Sequence, residues 1–220
     1  MRIVGLGGSL QVPSTSLTAL QMALQGASAD DVDIDLLDLR TLDLPLYGSA
    51  GTDAAGLHPG VSRLVRAAAS ADAMIWSAPM YHGTVSGSFK NSLDWLEELA
   101  GLDPPFLTDK PVGLIATAAG AQALQAINSM EFAVRALRGW VVPFVVPVNG
   151  AHDVFRSDER PTDRAVVNRL VSLGGMVLDA ARRFATEAAS PRDPVIRAGI
   201  GDGTGKWLPT TYNHHTGVAG

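Results

Sequence analysis

The chain has 220 residues, of which 46% are hydrophobic and 18% charged, and its formal net charge is −5. This composition is too apolar for an intrinsically disordered protein, and the mild acidity excludes the basic surface of a nucleic-acid-binding protein. The absence of cysteine excludes disulfides, thiolate nucleophiles and cysteine-bound metals.

Apolar segments and helical segments alternate along the chain. Strands are predicted at 2–6, 32–37, 73–77, 111–118 and 140–148, the third ending before Pro79. Helices are predicted from Ser16, which we expect to cap the first one, and at 59–71, 86–99, 121–137 and 161–188. The segment 40–59 is rich in Gly, Pro and Asp and is predicted to be a long loop.

This alternation predicts an α/β domain over 1–190, with a five-stranded parallel sheet and helices on both faces. The Gly- and Pro-rich segment 191–220 is predicted to be an extended tail. Ligands of such sheets bind beyond the carboxyl ends of the strands. We therefore expect a site formed by the loops after strands one, three and four.

Glycine and hydroxyl residues fill the loop after the first strand. Gly7 and Gly8 permit a sharp turn. The hydroxyl residues are Ser9, Ser14, Thr15 and Ser16. Backbone N–H groups at a helix start bind anions, and hydroxyls add neutral donors. An ordinary serine cap explains one hydroxyl but not four, so the pattern favours an anion site.

The spacing of this loop narrows the choice of anion. A P-loop is excluded because no Gly-Lys-Ser/Thr follows the glycines. A dinucleotide loop needs a third glycine where Leu10 stands, although Asp38 at the end of strand two keeps that alternative open. Several hydroxyls converging on one point suit a terminal monophosphate better than a pyrophosphate.

The loop after the third strand has the features of a contact with a flat ligand. Gly83 lets the backbone approach a ring closely, and Tyr81 offers an aromatic face. The candidate binding residues here are Pro79, Met80, Tyr81, His82, Gly83 and Thr84. The alternative is a plain loop with a buried tyrosine followed by an amphipathic helix.

Two motifs at these strand ends resemble the NAD(P)H-dependent FMN reductase family, which has a flavodoxin-like fold with strand order 2-1-3-4-5. Residues 8–16 are similar to its Gly-Ser-x-Arg-x-x-Ser-x-Asn/Ser phosphate loop. Residues 79–95 match Pro-x-Tyr-x-Gly followed by Ser-Gly-x-x-Lys-Asn-x-x-Asp-Trp. The order of strands and helices agrees to about residue 188.

The resemblance implies that these loops bind FMN. The resemblance also implies that the small-residue turn after strand four lies beside the flavin ring, with Thr117, Ala118 and Gly120 as its binding residues. Gln11 stands where the family usually has arginine, so we expect weaker phosphate binding and easier release of flavin. Close packing of helix against strand remains the alternative for the turn after strand four.

The resemblance also implies an activity in which NADPH or NADH reduces FMN, with no catalytic protein residue, and reduced flavin goes to a partner monooxygenase. The alternatives are a quinone, azo or chromate reductase that keeps its flavin, and a flavodoxin-type electron carrier without enzyme activity.

The five histidines lack metal-ligand spacing, so no metal site is expected. No apolar run approaches the roughly 20 residues of a membrane span. No secretory signal is recognised, so we expect a cytoplasmic protein.

A homodimer or homotetramer is also predicted. Apolar side chains beyond one buried stripe on the helices near the site favour burial against a second subunit. These side chains are Trp95, Leu96, Met130 and Phe132. The aromatic residues of the tail, Trp207 and Tyr212, are expected with His214 to lie across the neighbouring subunit.

Overall fold

The computed structural model describes residues 1–49, 52–53, 56–155 and 163–189. The chain divides into two compact units, Met1–Ala185 and Thr186–Gly220. The predicted tail at 191–220, with Trp207, Tyr212 and His214, lies outside the described residues and stays a prediction.

The first unit contains a parallel sheet of five strands. They are β1 (Arg2–Gly7), β2 (Asp33–Asp38), β3 (Ala73–Tyr81), β4 (Pro111–Thr117) and β5 (Trp140–Val148). Their spatial order is β2-β1-β3-β4-β5, and every neighbouring pair is parallel. The predicted order 2-1-3-4-5 is thus confirmed. A two-residue strand, Thr84–Val85, adds a sixth member by pairing antiparallel with the end of β3, which the sequence analysis did not predict.

Five main helices flank the sheet. They are α1 (Thr15–Gly26), α2 (Pro59–Ser70), α3 (Gly87–Asp94), α4 (Ala123–Ala136) and α5 (Arg164–Ala189). A 3-10 turn, Trp95–Leu99, continues α3. The predicted loop at 40–59 was partly wrong: a one-turn helix, Leu39–Leu42, begins before it, and short strands at Thr52–Asp53 and Gly56–Leu57 pair with each other.

The sheet separates two hydrophobic cores because successive side chains of a strand point to opposite faces. Ile3 and Ile75 belong to the core that α1 and α5 cover, whereas Val4 and Trp76 belong to the core under α2, α3 and α4.

Across the described residues, none of the helices combines the length and apolar character of a transmembrane span.

An ion cluster fixes the outer strand β2. The carboxylate of Asp35 is 8% exposed and pairs with the guanidinium groups of Arg63 and Arg2. Hydrogen bonding from Arg63 lowers the pKa of Asp35, burial opposes this, and Arg2 lowers it further. Arg2 begins β1 and Asp35 lies midway along β2, so the cluster is not at the carboxyl ends of the strands and is a structural feature.

Candidate active site

The chain turns sharply at the carboxyl end of β1, where β1 and β3 approach each other closely. A Cβ on Gly7 would lie 2.1 Å from the backbone oxygen of Ser77, so only glycine fits. Gly8 follows with a φ of +98° and donates its N–H to the same oxygen at 3.1 Å. The chain then leaves the sheet and runs above its edge toward α1.

Three of the four hydroxyl residues of this loop, Ser14, Thr15 and Ser16, lie at the start of α1. Ser14 is the N-cap, and its Oγ accepts from the N–H of Leu17 at 3.2 Å; the prediction of Ser16 as the cap was wrong. Ser16 is buried in the first turn, with its Oγ 3.2 Å from the Oγ of Ser14. The first N–H groups of a helix have no partner within it. Those of Thr15 and Ser16 therefore remain available to an anion.

The segment after β3 forms a tight hairpin rather than a plain loop. The strand continues through Pro79 to Tyr81, so the prediction that it ends before Pro79 was wrong. His82 and Gly83 both have positive φ, +51° and +86°, which is the two-residue hairpin turn that suits the twist of the strands. Thr84 then pairs with Tyr81, and its hydroxyl donates to the Oγ of Ser129 on α4 at 2.9 Å.

Hydrogen bonds join the three loops across the sheet edge. The Oγ of Ser9 lies 3.4 Å from the phenol oxygen of Tyr81, and the Oγ1 of Thr15 lies 3.4 Å from that of Thr117. Ser9 also accepts from the N–H of Gln11 at 3.1 Å, which shapes the first loop. These contacts place the carboxyl ends of β1, β3 and β4 around one space.

That space is a cleft, hereafter the edge cleft, which all three predicted loops line. The predicted residues that line it are Ser9, Gln11, Ser14, Thr15, Ser16, Pro79, Met80, Tyr81, Thr117 and Ala118. His82, Gly83, Thr84 and Gly120 are not among its lining residues. Four residues that the sequence did not mark as ligand-binding also line it: Pro13, Ala119, Ala151 and His152.

The described lining of the edge cleft has no acidic side chain and no lysine or arginine. Tyr81 and His152 are its titratable side chains. Its floor is buried, with Ser16 and Thr117 at 0% and 2% exposure, whereas Tyr81 is 41% exposed at the rim. Hydroxyls and free N–H groups beside small and aromatic side chains suit a ligand that combines an anionic group with a flat ring.

Comparison with known families identifies the group to which this architecture belongs. A family model described as NADPH-dependent FMN reductase matches residues 1–153, which include all of the edge cleft. The chain belongs to the NADPH-dependent FMN reductase family. The predicted family, oxidoreductase class and cofactor chemistry of FMN with NAD(P)H are thereby confirmed.

Individual relatives agree with this membership. An NADPH azoreductase of Bacillus sp. is 28% identical over 163 residues, covering 72% of this chain and 87% of that protein. An NAD(P)H-dependent FMN reductase of Pseudomonas aeruginosa is 31% identical over 120 residues, covering 54% of this chain and 61% of that one.

Solved structures share the fold at low sequence identity. A flavoenzyme NAD(P)H:acceptor oxidoreductase of Paracoccus denitrificans has a TM-score of 0.65 at 21% identity, covering 83% of this chain and 98% of its own. A flavodoxin from the domain Archaea has a TM-score of 0.56 at 11% identity, covering 83% and 99%. The predicted flavodoxin-like fold is confirmed.

The donors of the edge cleft fit FMN better than a dinucleotide. Its anion end is one helix start with a cluster of neutral hydroxyls, which suits a single terminal phosphate. The dinucleotide alternative relied on Asp38 as a ribose ligand. Asp38 instead caps the short helix Leu39–Leu42 by accepting from the N–H of Arg40 at 3.0 Å.

Proposed function

We propose that the edge cleft binds FMN with its phosphate at the start of α1 and its ring between Tyr81 and the turn after β4. The neutral hydroxyl cluster at the helix start carries this proposal. Ser14 and Thr15 offer hydroxyls there, and Ser9 adds one from the preceding loop. The N–H groups of Thr15 and Ser16 lie at the positive end of the helix dipole. FMN, when bound, takes a hydride from NAD(P)H and passes the electrons to an acceptor.

The walls of the cleft explain how the chain would orient the ring. Ala118 and Ala119 present small side chains on one side, and the hairpin holds Tyr81 on the other. The hairpin is stiff because its turn residues adopt the required positive φ and Thr84 is bonded to α4. We propose that Tyr81 covers one part of the ring and leaves the remainder open to nicotinamide.

We further propose that the flavin exchanges with solvent, so that FMN is a substrate and the reduced form reaches a flavin-dependent monooxygenase. The support is Gln11, which is exposed in the cleft where the family usually has arginine. A neutral donor holds a phosphate less strongly than a charged one.

The test is whether turnover needs added FMN. Protein desalted after purification should be colourless, and its oxidation of NADPH should rise with added FMN and saturate. Protein that stays yellow through desalting and turns over without added FMN would contradict the exchange proposal, although not FMN binding itself.

Azo reduction by a retained flavin is the second candidate. It is favoured by the similarity to the Bacillus NADPH azoreductase, which extends over 72% of this chain. The two candidates differ in the same experiment: a retained flavin should decolourise an azo dye with NADPH and no added FMN.

A further inference from the structure

His152 lies at the edge cleft on an element that the family motifs do not include. It belongs to the one-turn helix Ala151–Val154, which follows β5. The N–H of Ala151 donates to the oxygen of Ala118 at 2.9 Å, which holds this turn against the loop after β4. Ala151 is buried, whereas the side chain of His152 is exposed and lines the cleft.

The short helix is on the α1 side of the sheet. Ala151 and Val154 pack in the same hydrophobic core as Ala19 and Leu20 of α1. His152 therefore approaches the cleft from the side on which α1 begins. The hydroxyls at that helix start and His152 line the same cleft, so His152 faces the space in which the proposed phosphate lies.

Within the described residues, the surroundings of His152 contain few charges that compete with a phosphate. α1, the loop 118–122 and β5 carry no charged side chain. Tyr81 faces the cleft and Asp153 is the neighbour within the short helix. The described charged groups near the start of α5, which shares the core, are Asp163 just before it and Arg164 and Arg169 within it. Arg169 lies over the Phe144 ring at 5.9 Å and donates to the oxygen of Val145.

We propose that protonated His152 pairs with the phosphate of FMN and supplies the positive charge that Gln11 does not. This inference rests on the proposed binding of FMN in the edge cleft. Histidine is the side chain that ordinarily changes charge between pH 5 and 8, so the pairing makes FMN affinity depend on pH. Affinity for FMN is highest where the imidazole is protonated and the phosphate is ionised, and it falls as the imidazole loses its proton.

The experiment measures dissociation constants of the full chain for FMN and for riboflavin by quenching of flavin fluorescence, at about pH 6 and about pH 8.5. The variants are His152→Gln, which cannot be charged, and His152→Arg, which stays charged. His58→Gln is the control, since His58 lies at the start of α2 outside the edge cleft. Comparing each variant with the natural chain at one pH removes the titration of the phosphate itself, whose second pKa is about 6.

We expect His152→Gln to weaken FMN binding about fivefold at the lower pH, the size of a favourable exposed ion pair, and by less than twofold at the higher pH. Riboflavin binding should be unchanged, which also shows that the variant is folded. His152→Arg should bind FMN tightly at both pH values, and His58→Gln should behave as the natural chain.

Two results would overturn the inference while leaving the proposed function intact. One is an equal effect of His152→Gln on FMN at both pH values, and the other is an equal effect on FMN and riboflavin. If the natural chain binds neither flavin at either pH, the proposed function fails first and the inference falls with it.

Discussion

At the scale of single residues, the hydroxyls of the edge cleft combine a structural role with a binding role. Ser14 caps α1 while its Oγ lines the cleft, and Ser9 orders the loop by accepting from the N–H of Gln11. A variant that weakens FMN binding by disturbing the helix must therefore be distinguished from one that removes a phosphate ligand.

Replacing Ser9 and Ser14 together with alanine should weaken FMN binding by about 1–3 kcal/mol, the usual contribution of hydrogen bonds to charged groups. Ser14→Asp separates the two roles, because aspartate caps helices well but repels a phosphate. We expect its melting temperature to be retained and its FMN affinity to be lost, with riboflavin still bound. Unchanged FMN affinity in the double alanine variant would place the phosphate elsewhere.

Gln11→Arg should tighten FMN binding about tenfold at low ionic strength by adding a charged donor, and the gain should shrink at high salt. Gln21→Arg, on the exposed side of α1, makes the same charge change away from the cleft and is the control. Calorimetric titration in low and high salt measures both. No gain at low salt would mean that the side chain at position 11 points away from the phosphate.

At the scale of secondary structure, the alternation of strands and helices was enough to predict the sheet and its carboxyl edge. The segment after Pro79 was harder to predict, because proline has no N–H to donate and is rare inside a strand. Here it lies near the end of β3, and the hairpin continues the pairing beyond it. His152 was missed for another reason: the fifth strand also ends at this edge, but its loop has no recognised motif.

The close contact between β1 and β3 gives a direct test of the turn that begins the first loop. Gly7→Ala should lower the free energy of unfolding by about 3 kcal/mol, since a backbone oxygen cannot move aside as a side chain can. Gly101→Ala is the control, because nothing lies within 4 Å of its Cβ position. Equal denaturant midpoints for the two variants would contradict the described geometry.

The ion cluster on β2 predicts a stability effect with a defined pH range. Because folding lowers the pKa of Asp35, its pairing with Arg63 and Arg2 stabilises the fold above the unfolded value near 3.8 and is lost as pH falls below it. Asp35→Asn should therefore lower the free energy of unfolding by about 1–3 kcal/mol at pH 7. The difference from the natural chain should shrink below about pH 4. A constant difference across this range would refute the assignment.

At the scale of the whole molecule, three of the four side chains on which the predicted homodimer rested are buried within the chain itself. Trp95, Leu96 and Met130 are 2%, 0% and 0% exposed, so their prediction as interface residues was wrong. The 3-10 turn after α3 carries the first two into the core that α2, α3 and α4 cover. A pattern of helical spacing does not reveal where a helix tightens, so Trp95 and Leu96 fall outside the buried stripe that the sequence predicts.

The homodimer, or a dimer of dimers, stays a prediction supported by α4, where Phe132 and Leu124 are 70% and 51% exposed. Sedimentation velocity should give a dimer of the natural chain and a monomer of Phe132→Glu. Gln125→Glu, an exposed neighbour on α4, adds the same charge and should remain dimeric. A natural chain that sediments as a monomer of 23.0 kDa with full activity would end the proposal.

The most direct test of the whole account is the anaerobic absorbance of the purified chain with FMN before and after NADPH is added. Two tryptophan variants locate the reaction: Ala119→Trp fills the edge cleft, whereas Ala121→Trp places the same side chain at an exposed position outside it. We predict that NADPH bleaches the flavin with the natural chain and Ala121→Trp, and that Ala119→Trp loses both FMN binding and bleaching. Bound FMN that stays yellow with NADPH and NADH would contradict the account, as would undiminished bleaching by Ala119→Trp.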